Sequence, residues 1–571
     1  MTQPVKIGLL VDGDTVPLWA AEIIRRINEG NYAQITLVVK NLLPGELEMI
    51  RDEASANGSA VRKLFLKFRR NLKDLFFIAF WYFDRNVKKL ENHFETPHAL
   101  TDLVPGVETI EVTPSKTRFS DVIDADDIEK IAKADVDILF RLGFRILRGR
   151  ILDVARYGIW SYHHGDNRYM RGGPSGYWEL THQAPTVGVI LQILNEDLDG
   201  GSVLERSWHL PDILLLNRQR QNVFMQSLSH FPRHVERLYN MGPEAYFQEI
   251  KEKNQHPEFY SNPMRVAPKN SGAIRSLGRH YLRYLGKKLV GLFFFPQWML
   301  LASSHQGRGM STSMWRFKEI LPPKDRIWAD PFIIKKDDTF YIFIEEMLFS
   351  NGRGRISMFT MDKDGAWTTP TPVIEEPYHM SYPFVFEYEN QWYMIPETAD
   401  NRTIDLYRCS NFPDKWEKVQ TLMDDVFAVD STLLEYDGKW WMFTTLRENE
   451  HTNCLDELHL FYADSPLSTT WTKHPQNPVS TDVRNARPAG AIFETGGNLY
   501  RPAQNGSNRY GYGMNINLIK ELTTENYQER IVSPIEPKWH WTIKGTHTLN
   551  HEDGLTMSDA SKLRFRFSKK P

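Results

Sequence analysis

The feature that most constrains the fold is a turn-and-strand element that recurs four times in the second half of the sequence. Each copy begins with a short polar or glycine-rich turn and continues as an aromatic strand, at residues 337–343, 389–395, 437–443 and 495–500. The copies recur at roughly 50-residue intervals, which is typical of the blades of a β-propeller. A fifth unit fits residues 541–547. We therefore predict an all-β, five-bladed propeller over residues 311–571.

The strand that precedes each of these hairpins begins with a polar or charged residue. Blades arranged around an axis would bring these strand starts together, so we expect one central sugar-binding pocket. The residues predicted to bind substrate there, including one from a following strand, are Asp330, Tyr382, Asp430, Arg487, Arg501, Lys544 and His547. The cations in this set favour an anionic ligand, such as a phosphorylated or acidic sugar. An alternative remains open, in which Asp330 and Asp430 only accept backbone hydrogen bonds.

The first half of the sequence alternates apolar runs with helical patterns, which is typical of an α/β domain with a parallel sheet. A long aromatic and basic segment, residues 61–90, interrupts this alternation and is predicted to be helical. The predicted strands include residues 5–11, 35–39, 110–112, 137–140 and 187–194. We predict a Rossmann-type α/β domain over residues 1–215 and a helical connector over residues 216–310.

A short segment near the end of this domain carries the candidate chemistry. Ser161 and His163 lie two residues apart on a predicted strand, so their side chains face the same way. Gly165 favours a turn after that strand, and Arg171 supplies a cation for an anionic group. Residues beyond strand ends line the ligand crevice of an α/β sheet, so Asp199 is expected to orient the imidazole of His163.

Residues 5–203 resemble the catalytic domain of the formyltransferase family, which moves a formyl group to an amine. The resemblance rests on an ordered set of short motifs, at residues 134–137, 146–147, 151–152, 157–159, 163, 171–172, 187–189 and 198–201. It implies N10-formyltetrahydrofolate as donor, His163 as the catalytic histidine and Asp199 as the catalytic aspartate. The family has an asparagine at the position of Ser161, which here would donate to the developing oxyanion.

Residues 315–567 resemble the five-bladed propellers of glycoside hydrolases. They are more similar still to the propeller that precedes the glycosyltransferase domain in plant glucosaminyl inositolphosphorylceramide transferases. The resemblance implies that Asp330, in an Ala-Asp-Pro sequence, matches the glycosidase base, and that Asp430 is a second carboxylate. Arg487 stands where the glycosidases are expected to have their acid.

Composition narrows the class of protein. The formal net charge is −3, which does not favour nucleic acid as a partner. Two cysteines, Cys409 and Cys454, in 571 residues favour a reducing compartment. The sequence shows no signal peptide and no membrane-spanning run, so we expect a cytoplasmic protein.

The predicted connector contains a basic amphipathic segment. Arg275, Arg279, Arg283 and Lys287 recur at four-residue spacing, and the apolar residues 292–295 follow. Such a segment is able to lie on the inner face of an anionic membrane, which would make the protein peripheral. The alternative is that it packs between domains, and charge alone does not separate the two.

These features predict transfer of an acyl group, formyl by the resemblance, to an amine of a sugar-containing substrate. That substrate would be a small amino sugar, a sugar nucleotide or a glycolipid, with its glycan held by the propeller. No metal is predicted. Two alternatives stay open: a propeller acting as a glycosidase or transglycosidase beside a degenerate N-terminal domain, and a glycan-binding protein without catalysis.

Overall fold

The structure is a computed structural model that describes residues 3–43, 60–87, 90, 93–117, 119–198, 200–256, 262–304, 309–449 and 452–568. The chain divides into two compact units. The first is formed by Met1–Ser207 and Asp212–Leu282, and the second by Trp208–Pro211 and Arg283–Pro571. The protein is therefore multidomain, with a mixed α/β unit and a unit built from several β-sheets.

A seven-stranded sheet forms the centre of the first unit, in the order β12-β11-β10-β8-β1-β3-β5. The five strands from β10 to β5 in this order are parallel, and β11 is antiparallel to β10. The strands of this unit are β1 (Val5–Val11), β2 (Thr15–Pro17), β3 (Ala33–Asn41), β4 (Pro97–Ala99), β5 (Glu108–Val112), β6 (Ser115–Lys116), β7 (Ser120–Val122), β8 (Ile138–Arg141), β9 (Ile146–Leu147), β10 (Ile159–His163), β11 (Val187–Ile193) and β12 (Ser202–His209). Its strands are rich in Val, Ile and Leu because both faces of the sheet are covered.

Helices accompany this sheet, and several of them share its core clusters. They are α1 (Leu18–Glu29), α2 (Ala60–Val87), α3 (Leu100–Leu103), α4 (Ala125–Lys133), α5 (Tyr177–His182), α6 (Leu216–Gln226), α7 (His230–Met241), α8 (Pro243–Lys253) and α9 (Asn270–Phe293), with 3-10 turns at Arg150–Asp153 and Ser227–Ser229. The apolar sides of α1 and α6–α8 pack in one core cluster, and α4 packs in the other. Within the described ranges, no helix combines the length and the apolar character that crossing a bilayer requires.

The predicted strands of the α/β unit are confirmed, because each apolar run coincides with an observed strand. The separate helical connector is not observed. Val223, Phe231 and Leu238, on α6 and α7, are buried in the same core as the strands, so these helices belong to the first unit. The division between the units falls within α9, after Leu282.

The second unit contains five antiparallel sheets. Four are formed by consecutive strands: β15–β18, β19–β22, β23–β26 and β27–β30. The fifth joins β13 and β14 to β31–β33, so both ends of the unit lie in one sheet. The strands are β13 (Phe294–Ser304), β14 (Lys318–Ile320), β15 (Arg326–Lys336), β16 (Thr339–Leu348), β17 (Gly354–Asp362), β18 (Thr371–Ile374), β19 (Ser381–Tyr388), β20 (Gln391–Glu397), β21 (Thr403–Asn411), β22 (Lys415–Asp424), β23 (Ala428–Tyr436), β24 (Lys439–Leu446), β25 (Leu458–Ala463), β26 (Thr472–Lys473), β27 (Phe493–Thr495), β28 (Asn498–Asn505), β29 (Gly513–Leu522), β30 (Tyr527–Ile535), β31 (Ile543–Gly545), β32 (Leu549–Glu552) and β33 (Leu555–Phe565), with 3-10 turns at Met314–Arg316 and Ala399–Asn401.

The hairpin turns predicted from the repeat are confirmed. In three of them both central residues have positive φ: Glu389 with Asn390, Asp437 with Gly438, and Gly496 with Gly497. This geometry matches the right-handed twist of the paired strands, and it explains the glycine and short polar residues at these positions.

Candidate active site

His163 is the last residue of β10, at the carboxyl end of the parallel part of the sheet. It lies on the wall of a cavity of about 300 Å³. This is the edge at which α/β sheets bind their ligands. The cavity has apolar and polar walls, formed by Arg141, Ile146, Leu147, Tyr162, His163, Gly172, Gln192, Leu194, Asn195, Glu196, Asp197, Leu198 and Met264.

Ser161 is almost completely buried and is not one of the described residues that line the cavity. Its Oγ accepts a hydrogen bond from Arg141 Nε at 2.9 Å, and its hydroxyl lies 3.2 Å from the carbonyl oxygen of Tyr162, to which it donates. Burial lowers the pKa of Arg141, whose guanidinium also donates to two backbone carbonyls. Ser161 therefore holds Arg141 in place, rather than presenting its hydroxyl to the cavity as predicted.

Gln192 is a cavity residue that sequence reasoning missed. It lies on β11 directly opposite Ser161, and residues paired in this way share one face of the sheet. Its side chain is buried, and its Oε1 has no hydrogen-bond partner in the described part of the protein. The amide of Gln192 on β11 thus lies beside Ser161 on β10, and Ser161 stands where the formyltransferase family has an asparagine. Only pairing across strands reveals this, so the sequence carries no local signal for it.

The predicted role of Gly165 changes in the structure. A Cβ at this position would lie 3.2 Å from His163 Nε2 and 3.3 Å from the carbonyl oxygen of Met170. The glycine is therefore needed for close packing against the imidazole. His164 is directed elsewhere and stacks on Phe224 with a ring-centroid distance of 3.5 Å, which fits a structural role.

Arg171 and Asp199 were also predicted to belong to this site. The backbone carbonyl of Arg171 accepts a hydrogen bond from the N–H of Arg265, and its neighbour Gly172 lines the cavity. Asp199 lies outside the described residues. Asp197, two positions earlier, is a described carboxylate on the cavity wall.

In the second unit, three predicted binding residues occupy equivalent positions. Asp330, Tyr382 and Asp430 each lie at a register shift near the start of β15, β19 and β23, and each has positive φ, at 49°, 45° and 53°. A bulge of this kind re-aims a side chain away from the regular ladder. The repeated geometry explains how two residue types, aspartate and tyrosine, occupy equivalent positions in three sheets.

Hydrogen bonds join these strand starts to one another. Asp330 Oδ2 accepts from the backbone N–H of Tyr382 at 3.3 Å. Arg487 donates to Asp430 through Nε at 2.5 Å and lies 3.3 Å from Glu397. The structure thus brings together four of the predicted residues, Asp330, Tyr382, Asp430 and Arg487.

His547 joins the same cluster through a carboxylate that sequence reasoning missed. Its Nδ1 lies 2.6 Å from Asp559 Oδ2 and 3.5 Å from Asp330 Oδ1. Asp559 is fully buried on β33. The sequence signal that could have revealed it is the single aspartate in this strand. The imidazole also stacks on Trp298, at a centroid distance of 4.0 Å.

Arg501 and Lys544 lie elsewhere. Arg501 is buried, but it is bound by Glu529 at 2.7 Å and by the carbonyl oxygen of Asn485. Lys544 donates to the backbone carbonyl of Trp541. The four cations that favoured an anionic ligand are therefore not assembled: in the described residues Arg487 and His547 lie with five carboxylates, Asp330, Glu345, Glu397, Asp430 and Asp559.

Proton affinities in this cluster are shifted by burial. Burial and the neighbouring Asp330 raise the pKa of Glu345 to about 8. Burial also raises the pKa of Asp330 to about 6, although the positive charge of His547 acts to lower it. Burial acts to lower the pKa of His547, but the carboxylates of Asp559 and Asp330 outweigh it and raise that pKa to about 9. Glu345 is therefore uncharged and His547 charged at neutral pH.

Two groups of side chains in the second unit have a spacing that could hold a metal ion. They are Asp330 with His547 and Asp559, and Glu448 with Glu457 and His459. In the first group the proton on His547 already occupies the nitrogen that faces both carboxylates. The charge of the imidazolium offsets part of the charge of the two carboxylates.

The shifted pKa of Glu345 predicts a pH dependence of stability. A carboxyl with a raised pKa binds its proton more tightly in the folded chain, so stability falls as pH rises from 4.5 through about 8. Between pH 6 and pH 8 Glu345 alone should account for a loss of about 2 kcal/mol, so the loss should be smaller by about that amount in Glu345→Gln than in the wild type, where the raised pKa of His547 adds to it. Denaturant unfolding at the two pH values measures both, with the exposed Glu389→Gln as control. Equal losses in wild type and Glu345→Gln would contradict the assignment.

The protein thus has two units, and each contains a candidate site. The α/β unit has a histidine at a cavity, and the β-sheet unit has a buried carboxylate centre.

Residues 322–553 match the family model described as glucosamine inositolphosphorylceramide transferase 1, N-terminal. The rice (Oryza sativa subsp. japonica) protein of that name is 37% identical over 204 residues, covering 35% of this chain and 27% of that protein. The Arabidopsis thaliana protein of the same name is 32% identical over 204 residues, covering 35% and 26%. The chain thus spans about a quarter of the length of these relatives.

Solved structures similar to parts of this chain fall into two groups. Zg3597, a family 117 glycoside hydrolase from Zobellia galactanivorans, is 13% identical and covers 47% of this chain and 91% of its own, with a TM-score of 0.31. Glycinamide ribonucleotide transformylase 1 from Symbiobacterium toebii is also 13% identical, covering 42% and 90%, with a TM-score of 0.28.

Proposed function

We propose that this protein is a transferase that moves an acyl group, formyl in the first instance, to an amine of a sugar-containing substrate. In this proposal the second unit is a five-bladed propeller that holds the glycan. The observation that carries the proposal is the cavity beside His163, at the ligand-binding edge of the parallel sheet. The histidine, a buried amide and apolar walls meet there.

The residues of the cavity suit a reduced folate that carries the formyl group. Ile146, Leu147 and Met264 supply apolar surface for a ring system, and the Oε1 of Gln192 lacks a partner. A volume of about 300 Å³ is at the lower end of cavities that bind small organic ligands. When bound, N10-formyltetrahydrofolate would supply the activated formyl group.

In this mechanism His163 would accept the proton that the attacking amine loses, as a general base, and would return it to the donor nitrogen as the bond between that nitrogen and the formyl carbon breaks. Gln192, rather than Ser161, donates a hydrogen bond to the carbonyl oxygen on which negative charge develops, because its amide can turn its NH₂ toward the cavity. Arg141, held by Ser161, adds positive charge behind that oxygen. Asp199 remains the predicted partner of His163, and Asp197 is a carboxylate on the same wall.

The propeller arrangement is supported by the order and equivalence of the sheets. Five sheets follow one another along the chain, the last is completed by strands from both ends of the unit, and three bulges recur at the same position. The match of residues 322–553 to the N-terminal part of plant glycolipid transferases favours a glycolipid as acceptor. Since the buried centre carries more carboxylates than cations, it suits a neutral or amine-bearing sugar better than an anionic one.

The folate version of the proposal can be tested by calorimetric titration with a reduced-folate analogue. Met264, half exposed on the cavity wall, is replaced in Met264→Trp to fill the cavity. Met241→Trp is the matched control, because Met241 is similarly exposed and lies on α7. We expect binding to the wild type and the control, and at least about tenfold weaker binding to Met264→Trp. Absence of binding to the wild type would remove the folate donor, and unchanged binding to Met264→Trp would place it elsewhere.

A second candidate function is glycoside cleavage or transglycosylation in the second unit. It is favoured by one observation: Glu345 keeps its proton at neutral pH while Asp330, with a pKa of about 6, is mostly ionised. Two carboxyls with divided protonation are the arrangement that acid and base roles require.

A further inference from the structure

The second half of α9 lies at the surface of the described part of the protein. Every residue from 285 to 293 is exposed to solvent. Five of these are large apolar residues: Leu285 is 55% exposed, Leu289 61%, Val290 45%, Leu292 62% and Phe293 53%. A globular protein rarely leaves so much contiguous apolar surface in water unless the surface has a partner.

The sequence of this helix is amphipathic and entirely free of acidic residues. Leu285, Leu289, Leu292 and Phe293 follow one another at intervals of four, three and one residues, so they lie on one face of the helix. Lys288 borders this face, and Arg283 and Lys287 lie on the polar side of the helix. Lys287 has two cationic neighbours, Arg283 and Arg509, so positive charge is concentrated here.

Aromatic side chains from the C-terminal strand and its neighbourhood extend the same surface. The backbone N–H of Arg566 donates to the carbonyl oxygen of Phe293 at 2.8 Å, which fixes the strand end against the helix end. Phe565 contacts Phe567 at a centroid distance of 5.6 Å, and Trp541 contacts Phe294 at 6.0 Å. Trp541 is 65% exposed and Phe567 is 69% exposed.

We propose that these residues form a membrane-docking face, defined as Leu285, Leu289, Leu292, Phe293, Trp541 and Phe567, that inserts into the interface of an anionic lipid bilayer. Leucine and aromatic side chains enter the region between headgroups and acyl chains, where tryptophan is particularly favoured. Arg283, Lys287 and Lys288 of the same helix attract the anionic lipid surface, each adding to the binding.

Charge argues for a bilayer over a second copy of the chain. In a two-fold dimer the same patch faces itself, so two helices that carry Arg283, Lys287 and Lys288 would lie against each other. Because residues 270–293 include no acidic residue, these cations would remain uncompensated within the helices. An anionic bilayer supplies the opposite charge and an apolar layer together.

The inference does not depend on the reaction proposed for His163. It adds a membrane surface as the place where the protein acts, because a docked protein would meet a glycolipid acceptor in that membrane. Vesicle binding is measured without any donor or acceptor, so its failure is distinguishable from failure of the proposed transfer.

Co-sedimentation of the full chain with vesicles tests the inference. We compare phosphatidylcholine vesicles with vesicles containing 30% phosphatidylglycerol, at about 0.1 M and 0.5 M salt. We expect binding to the anionic vesicles, weakened several-fold by the higher salt. The double variant Leu285→Asp/Leu289→Asp should bind at least about tenfold more weakly, since each aspartate removes apolar area and repels the lipid phosphates.

The matched control is Val419→Asp/Ile531→Asp, which changes two exposed apolar residues on other sheets of the same unit. It should bind as the wild type does. Lys287→Glu/Lys288→Glu should lose the preference for anionic vesicles while keeping the apolar residues. The inference is overturned if the wild type stays in the supernatant, if Leu285→Asp/Leu289→Asp binds normally, or if light scattering shows a dimer that this variant converts to a monomer.

Discussion

Replacing Asp430 with alanine should lower the free energy of unfolding of the β-sheet unit by about 3–5 kcal/mol. Asp430 is almost completely buried and receives hydrogen bonds from Arg487 at 2.5 Å and from Gln504 at 2.7 Å. Without this carboxylate the buried guanidinium keeps the ring of Tyr510 and Glu397, which lies 3.3 Å away and whose pKa is raised well above its usual range by burial and by Asp430. An uncompensated buried charge is among the largest single destabilising changes available.

Hydrogen exchange of the full chain measures this effect where it arises, in peptides that cover β23 and β24. The matched control is Asp464→Ala, which breaks the exposed ion pair with Lys439 and should cost about 0.5 kcal/mol or less. The double variant Asp430→Ala/Arg487→Met should recover part of the loss, because it removes the unpaired cation as well. A cost for Asp430→Ala no larger than that of Asp464→Ala would contradict the central role of this pair.

Replacing His163 with alanine should lower the turnover of acyl transfer by about 10³-fold while leaving donor binding largely intact. The imidazole lies at the cavity wall and not in the core, so its removal should not unfold the sheet. Gln192→Leu should cost about 10²-fold, as expected for loss of one hydrogen bond to a developing oxyanion. Ser161→Ala should have a smaller effect, because Ser161 acts through Arg141.

The same assays separate the two candidate functions. In the proposed mechanism Asp330→Asn keeps the chemical step and weakens the apparent affinity for the sugar-bearing acceptor. If activity is instead lost in Asp330→Asn and kept in His163→Ala, the carboxylate centre of the second unit performs the chemistry. Activity that is absent from the wild type with every acceptor, while glycan binding persists, would leave a binding protein.

Much of the fold could be predicted from the sequence because local rules act over short distances. The hairpin turns at 389–390, 437–438 and 496–497 need residues that accept positive φ, and such residues mark them in the sequence. The apolar runs of the α/β unit coincide with its strands for the same reason, since a strand buried on both faces has to be apolar. The bulge positions of Asp330 and Asp430 were also visible, because they recur at the same distance before each hairpin.

The sites were harder to predict, because their members meet through pairing and packing between distant residues. Ser161 and Gln192 are cross-strand neighbours, so the amide to which we assign the role expected of the serine lies 31 positions away. Arg487 looked like a free cation in the sequence, yet it is held by Asp430 and Glu397. Arg501 and Lys544 were grouped with it by position along the repeat, but their partners direct them elsewhere.

The order of elements, the two kinds of unit, the hairpin turns and the histidine at a strand end therefore follow from residue pattern alone, because backbone preferences and strand burial leave local marks. The sign of charge in the carboxylate centre, the burial of Ser161 and the exposed end of α9 were decided by tertiary structure. Each depends on which distant side chains come within hydrogen-bonding or packing distance, and only the folded chain sets those distances.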